Sequence, residues 1–199
     1  MREFVYFSSS APTSGNFGDD LMKAGRMDIA IHTLISAFFL SHEIRRDTKL
    51  HMIFYGMPDP PKHLEFLPEL EGRTGEDKIY LSKKDVAGII KRMLYKYRKN
   101  IKHEVFPGYW IEKKGLLDLV KELKDSGKEI YLLDKKGEDI RKADIKDNCV
   151  FILGDHDGLP KKELKRLKGI AKPVSVGNKM YFASHVVSIV NNELDRRGI

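Results

Sequence analysis

Three polar loops in the C-terminal third of the chain carry the residues best suited to hold a small ligand. They follow apolar runs that are typical of buried strands, at residues 130–133, 150–153 and 174–176. The loops themselves span residues 134–139, 154–160 and 177–181. Loops at the carboxyl ends of neighbouring strands form the ligand crevice of an open α/β sheet. The sequence therefore predicts a cofactor site built mainly from backbone groups.

A polar segment near the N-terminus, residues 9–25, offers a second group of reactive side chains. Asp20 lies within it, and Arg26 and Asp28 follow where the first predicted helix begins. Long polar loops in a compact domain usually have a function. Arg26 could hold a phosphate through two parallel hydrogen bonds, and either carboxylate could accept a proton. Asp28 is explained equally well as the N-cap of the helix.

A basic segment between residues 83 and 103 accounts for the whole formal net charge of +7. A local block of this kind indicates a polyanionic partner better than a raised isoelectric point does. A basic surface that carries an aromatic ring is typical of RNA binding, because bases stack on the ring. The candidate contacts are Lys91, Tyr95, Arg98 and Lys99. A solvated helix face explains the same charges equally well.

Two adjacent arginines, Arg45 and Arg46, close the first predicted helix. Cations stabilise the C-terminal end of a helix, so both side chains have a structural explanation. Adjacent arginines also suit the phosphates of a nucleic acid. We therefore count both among the candidate RNA contacts.

Several common kinds of site are excluded by the sequence. It has no dinucleotide fingerprint, no Walker A motif and no nucleophile elbow. A single cysteine, Cys149, excludes a disulfide within the chain and a cysteine-rich zinc site. Asp155, His156 and Asp157 are adjacent in a loop without further ligands nearby in sequence, so we expect no metal. No apolar run suits a membrane helix or a signal peptide, and a cytoplasmic location is expected.

Strand and helix patterns alternate along the chain. Strands are predicted at residues 3–8, 50–55, 64–67 and 78–81, before the three C-terminal strands. Helices are predicted at residues 28–42, from Ser82 through the basic segment, at 113–125 and at 182–197, with short helical pieces at 138–143 and 161–167. This order predicts a single α/β domain over residues 1–199 with a mostly parallel sheet. The wide apolar stripe of the last helix fits either a subunit interface or ordinary core packing.

Short strings spread over nearly the whole chain resemble one known family. They are Arg-Glu-Phe-Val at 2–5, Gly-Arg-Met-Asp at 25–28, Phe-Leu-Ser-His-Glu-Ile-Arg-Arg-Asp at 39–47, Tyr-Gly-Met-Pro-Asp-Pro-Pro at 55–61, Gly-Glu-Asp at 137–139, Ile-Leu-Gly-Asp-His at 152–156 and Asn-Glu-Leu-Asp at 192–195. With these strings the chain resembles the archaeal-type tRNA pseudouridine N1-methyltransferases, the TrmY family of the SPOUT superfamily.

The resemblance implies a SPOUT-type α/β-knot, in which the last part of a parallel sheet threads a trefoil, and a homodimer. It also implies that S-adenosylmethionine binds in the knot, held by the three loops described above. The implied cofactor contacts are Leu132, Leu133, Gly154, Asp155, His156, Val176, Gly177, Asn178, Lys179, Met180, Tyr181 and Val186. Some members of the family carry a cysteine where this chain has Val186, so a thiol at that position is not essential here.

The activity implied by the resemblance is methylation of N1 of pseudouridine at position 54 in the T-loop of tRNA. N1 must lose its proton, and Asp20 or Asp28 is the candidate base, with Arg26 positioning the target. Pseudouridine in ribosomal RNA is the alternative substrate, although the strings at 137–139 and 154–156 favour tRNA. The alternative class is a non-catalytic RNA-binding protein with the same fold.

Overall fold

The computed structural model of the protein describes residues 1–67 and 82–199. Within these ranges the strands are β1 (Arg2–Ser8), β2 (Thr48–Phe54), β3 (Lys62–Phe66), β4 (His103–Phe106), β5 (Tyr109–Glu112), β6 (Glu129–Asp139), β7 (Cys149–Gly154) and β8 (Lys172–Ser175). The helices are α1 (Met27–Phe38), α2 (Lys83–Tyr95), α3 (Leu116–Asp125), α4 (Lys161–Leu167) and α5 (Ala183–Arg197). The predicted strand at 78–81 lies outside the described residues.

The strands form one sheet in the order β4-β5-β3-β2-β1-β7-β6-β8. Five neighbouring strands, from β2 to β8, are parallel. Strands β3, β5 and β4 extend the sheet by antiparallel pairing. The predicted α/β class with a mostly parallel sheet is confirmed. In the described ranges, no helix is both long and apolar enough to cross a membrane.

Two hydrophobic cores flank the sheet, because successive residues of a strand point to opposite faces. Phe4 and Tyr6 of β1 pack with helices α1, α2 and α5. Val5 and Phe7 of the same strand pack with α3 and α4. Every residue of β1 is buried, as expected for a central strand covered on both faces. The central strand thus carries its loop, from Ser9 onwards, to the edge where the parallel strands end.

The segment before α3 differs from the prediction. Residues 103–112 form the hairpin β4–β5, where no strand was predicted. Gly108, with a φ of 79°, provides the positive φ in its turn. Helix α3 begins at Leu116, after Gly115 as the N-cap residue, and not at residue 113. The hairpin strands are four residues each, too short to show a clear alternation.

The predicted loop at 134–139 and the predicted helical piece at 138–143 are corrected together. Strand β6 continues through the predicted loop to Asp139, with an irregularity between Leu133 and Glu138. Residues 140–143 form a turn after the strand. Glu138 and Asp139 pair with the last two residues of β8. A Cβ at Gly137 would lie 2.5 Å from the backbone nitrogen of Val174, so the two strands approach closely at this glycine.

Two predicted helices end earlier than expected. Helix α1 stops at Phe38, because Phe39 is extended and forms a bridge with Ile44. Helix α2 is capped by Ser82, whose hydroxyl accepts from the backbone N–H of Asp85, but the helix ends at Tyr95. Arg98 and Lys99 therefore follow the helix and are not part of its face.

Candidate cofactor and substrate site

A cavity of about 610 Å³ lies where β6, β7 and β8 meet the start of α5. Its size is in the range of pockets for small organic ligands. The structure places most of the predicted cofactor residues around it: Leu132, Leu133, Gly154, Asp155, His156, Val176, Gly177, Lys179, Met180, Tyr181 and Val186. Asn178 belongs to the same turn but does not line the cavity.

Further lining residues were not predicted from the sequence. Ile29 of α1 reaches the cavity, as do Leu153, Val174 and Phe182. Leu153 and Val174 are buried core residues at the ends of their strands, so their sequence signal is the same as that of any core residue. Ile29 brings the start of α1, and with it Arg26 and Asp28, next to the cavity.

Tight glycine turns shape the cavity wall. A Cβ at Gly154 would lie 2.6 Å from the carbonyl carbon of Gly158, which itself has a φ of 76°. Gly177 has a φ of 143°, and its N–H donates to the hydroxyl of Ser175 at 3.1 Å. A larger side chain at Gly154 requires the turn to shift. Gly154, Gly158 and Gly177 all line the cavity.

Asp155 joins the loop after β7 to the loop after β1. One carboxylate oxygen accepts from the Ser8 hydroxyl at 2.7 Å and from the backbone N–H of Ser9 at 3.0 Å. The other oxygen accepts from the backbone N–H of Asp157 at 2.9 Å. The side chain is 0% exposed, so its hydrogen bonds fix the shape of the loop.

The acidic cluster Asp155, His156 and Asp157 is more compact than the sequence suggested. One ligand atom from each residue lies within 4.8 Å of the others, although neighbouring side chains of an extended loop point in different directions. The carboxylate of Asp155 is already used by the hydrogen bonds that hold the loop. Because the cluster lacks a free buried carboxylate, we assign no metal to it.

Arg26 and Asp28 form a bidentate ion pair beside the cavity. The Nε and Nη2 atoms of Arg26 lie 3.0 Å from the two carboxylate oxygens of Asp28. Arg26 is the N-cap residue of α1, with a φ of 57°, and Asp28 lies in the first turn. The predicted N-cap role of Asp28 is therefore wrong. The hydrogen bonds from Arg26 lower the pKa of Asp28, which makes it a weak proton acceptor.

The buried hydroxyl of Tyr6 links this ion pair electrostatically to Asp155. Burial raises the pKa of Tyr6, and the charges of Asp155 and Asp28 raise it further. A neutral phenol thus lies among the site's charged groups. Asp20, the other candidate base, is an exposed residue that pairs with Lys23 at 3.2 Å.

Some of the predicted RNA contacts bind other side chains of the protein, and the others face solvent. Arg45 is only 10% exposed and binds both carboxylate oxygens of Asp195, at 2.7 and 2.5 Å, so its observed role is structural. Lys91 lies 3.3 Å from Asp19 and 4.8 Å from the ring centroid of Phe17. The side chains that face solvent are Arg46, Tyr95, Arg98 and Lys99.

Comparisons with known proteins agree on one family. Residues 1–199 match the family model described as "Putative SAM-dependent RNA methyltransferase". A tRNA (pseudouridine(54)-N(1))-methyltransferase from Methanococcoides burtonii is 37% identical over 200 residues, covering 98% of this chain and 96% of the relative. The enzyme of that name from Thermococcus kodakarensis is 39% identical over 204 residues, covering 98% and 99%.

A solved structure shows the same fold. The crystal structure of Archaeoglobus fulgidus Nep1 bound to S-adenosylhomocysteine superposes with a TM-score of 0.64 and covers 99% of each chain, at 17% identity. At this identity the likeness concerns the fold alone. With the family match over its full length and relatives above 30% identity, the chain belongs to the family of S-adenosylmethionine-dependent RNA methyltransferases that includes the tRNA (pseudouridine(54)-N(1))-methyltransferases.

Proposed function

We propose that this protein transfers a methyl group from S-adenosylmethionine to N1 of pseudouridine at position 54 in the T-loop of tRNA. The observation that carries the proposal is the coincidence of the cavity with the three loops that the family resemblance assigns to the cofactor. Eleven of the twelve residues expected to hold the cofactor line that one cavity. The named activity of relatives that match over their full length supplies the substrate.

The residues around the cavity fit S-adenosylmethionine. Apolar side chains such as Leu132, Leu153 and Val174 offer a surface for the adenine ring. The glycines at Gly154 and Gly177 place no side chain between the cavity and the backbone of its wall, so a nucleoside can approach that backbone closely. The bound cofactor supplies an electrophilic methyl group on its sulfonium. The protein has to hold the acceptor in line with that group, and positioning alone can remove much of the barrier.

We assign the positioning of the target base to the Arg26–Asp28 pair. The pair is rigid, because two parallel hydrogen bonds fix both side chains. Asp28 can accept a hydrogen bond from N1–H while Arg26 compensates its charge. Since the pKa of Asp28 is lowered, full proton transfer to it is disfavoured. Asp20 remains the candidate for the final proton acceptor.

The tRNA would approach over the loop after β1 and the end of α2. Tyr95 is 63% exposed, and Arg98 and Lys99 follow it in the chain. A positive surface with an exposed ring suits looped RNA. A Cβ at Gly15 would lie 2.5 Å from the ring of Tyr95, so the loop that leads to Arg26 packs directly on this surface.

The proposal also covers the domain organisation, the knot, the oligomeric state and the location of the protein. We propose that residues 1–199 form one domain, because the eight strands of the described residues belong to one sheet. We also propose a trefoil knot at the C-terminal end, a homodimer, and, because the substrate is tRNA, a cytoplasmic location. The exposed Met180, Tyr181 and Phe182 at the start of α5 offer apolar surface for a second copy or for RNA.

The proposed function is tested with two T-loop tRNAs that differ only at position 54, one with uridine and one with pseudouridine. We expect labelled methyl groups from S-adenosylmethionine to transfer only to the pseudouridine RNA. If methyl groups transfer only to a ribosomal RNA fragment, the substrate is ribosomal RNA and not tRNA. Binding of RNA without any transfer would favour the non-catalytic alternative.

A further inference from the structure

A row of mostly buried polar side chains crosses four adjacent strands, on the sheet face that packs against α3. It consists of Glu3 on β1, His51 on β2, His63 and Glu65 on β3, and Glu112 on β5. The pairs His51–Glu65 and His63–Glu112 are direct neighbours in the strand register. His51 is 2% exposed and His63 is 1% exposed. The proposed methyl transfer uses none of these groups.

The side chains form one continuous chain of contacts. Glu3 Oε2 lies 3.1 Å from His51 Nε2, and Glu112 Oε1 lies 3.0 Å from His63 Nδ1. Between them, His51 Nδ1 lies 2.9 Å from His63 Nε2. Each imidazole therefore has one outer nitrogen against a carboxylate and one inner nitrogen against the other imidazole.

A proton count shows that the centre of this chain requires a cation. The Nζ atoms of Lys128 and Lys114 lie 2.7 and 2.9 Å from the carboxylates of Glu3 and Glu112 and favour their ionised form. An ionised carboxylate only accepts hydrogen bonds, so each outer ring nitrogen must carry the hydrogen. In the neutral imidazoles the inner nitrogens then both present lone pairs, 2.9 Å apart. Either a shared proton or a metal ion has to lie between them.

The surroundings favour a metal ion. Glu65 Oε2 lies 3.9 Å from His51 Nδ1, and one ligand atom each from His51, His63 and Glu65 lies within 4.8 Å of the others. Two imidazole nitrogens and one carboxylate oxygen are a ligand set used by zinc. Histidine ligands also donate their other N–H to a carboxylate as a rule, and both histidines here do so.

We propose that His51 Nδ1, His63 Nε2 and Glu65 Oε2 bind a divalent transition-metal ion of the zinc class. A tetrahedral ion with bonds of about 2.0–2.1 Å holds two nitrogens roughly 3.4 Å apart. The imidazoles must therefore separate by a few tenths of an ångström. Lys102, whose Nζ lies 2.7 Å from Glu65 Oε2, is partly exposed and can turn away from that oxygen. The ion would connect β2 to β3, where the parallel part of the sheet meets its antiparallel extension.

The experiment titrates Zn²⁺ and Co²⁺ into full-length protein that has been treated with a chelator. We expect one equivalent of Zn²⁺ per chain by calorimetry, a visible absorption band with Co²⁺, and a higher melting temperature with either ion. Glu112→Gln keeps all three ligands but weakens the support of His63, so it should lower the affinity about 10- to 100-fold. Glu122→Gln, at the exposed far side of Lys114, is the matched control and should bind like the wild type.

Two results would overturn the proposal. If the wild type binds neither ion stoichiometrically, the centre holds only a proton. If an ion binds but its affinity is unaffected by Glu65→Gln and Glu112→Gln and lost in His156→Gln, it belongs to the exposed cluster beside the cavity. Circular dichroism of each variant separates loss of binding from loss of folding. These measurements use no RNA, so they stand apart from the proposed function.

Discussion

At the scale of single residues, the cavity depends on positions where a side chain does not fit. Gly154 is such a position, because its Cβ would meet the Gly158 backbone at 2.6 Å. Gly154→Val should displace the turn and lower the affinity for S-adenosylmethionine by more than ~10-fold, which is about 1.4 kcal/mol. Calorimetry measures the loss. Gly88→Ala is the control, since a Cβ at Gly88 meets nothing within 4 Å; equal affinities in both variants would contradict the cofactor assignment.

Arg26 is the residue whose exact chemistry matters most for the proposed positioning role. Arg26→Lys keeps the charge but cannot make two parallel hydrogen bonds. We expect methyl transfer to slow on the order of 100-fold, while cofactor affinity stays unchanged. Single-turnover kinetics and calorimetry separate the two effects.

A matched control exists in the same chain. Arg141 binds Asp139 with two contacts of 3.2 Å, also at a spacing of two residues, and neither residue lines the cavity. Arg141→Lys should transfer methyl groups at the wild-type rate. An equally slow Arg141→Lys, or a fast Arg26→Lys, would remove the positioning role from Arg26.

At the scale of elements, the C-terminal end of α5 is held by an arginine clamp. Asp195 accepts from Arg45 and from Arg2, which is 4% exposed. Asp195→Asn should destabilise the fold at pH 7 by about 1–2 kcal/mol, since the carboxylate is partly exposed and screened. Urea denaturation measures this difference.

The pH dependence of that clamp has a definite sign. The hydrogen bonds from Arg45 lower the pKa of Asp195, below the unfolded value of about 3.9. Its contribution is present above that pH and is lost as the pH falls through the folded-state pKa. The stability difference between wild type and Asp195→Asn should therefore shrink in strong acid. A stability difference that does not change with pH would show that the charge of Asp195 does not stabilise the fold.

The end of α2 is the element that we expect to contact tRNA. Charge reversal in Arg98→Glu with Lys99→Glu should weaken binding and lower the salt slope of log K by about 0.7 to 0.9 for each lost phosphate contact. Lys121→Glu with Lys124→Glu on α3 changes the net charge by the same amount on the other face of the sheet and should have little effect. Equal losses in both variants would mean that only the net charge matters.

At the same scale, the sequence predicted long elements with a clear apolar pattern better than short or polar ones. The apolar patterns predicted the parallel strands and helices α4 and α5. Most of the predicted ends lie within two residues of the ends in the structure. The hairpin β4–β5 was missed because its strands are short. The continuation of β6 through residues 134–139 was missed because polar residues are typical of a loop. This segment is a strand only because it pairs with β8.

At the scale of the whole molecule, residues distant in sequence form the site. The loops after β6, β7 and β8 were predicted to meet, because parallel strands end at one edge of a sheet. Ile29 reaches the cavity, and Arg45 binds Asp195, through tertiary packing. No local sequence pattern predicts either contact. The histidine row is likewise visible only through the strand register, since His51 and His63 come from antiparallel neighbours.

Cofactor binding should also appear as stability of the whole fold. A ligand that binds only the folded chain stabilises it by about 2.7 kcal/mol at one hundred times its dissociation constant. S-adenosylhomocysteine should therefore raise the melting temperature of the wild type. Gly154→Val should show a much smaller rise, and an undiminished rise would mean that the ligand binds elsewhere.

The most direct measurement is nucleoside mass spectrometry of a pseudouridine-54 tRNA after incubation with S-adenosylmethionine and either wild type or Gly154→Val. We predict N1-methylpseudouridine at position 54 with the wild type and almost none with the variant at the same protein concentration. A methyl group on another nucleotide, or equal modification by both proteins, would contradict the proposed function and its site.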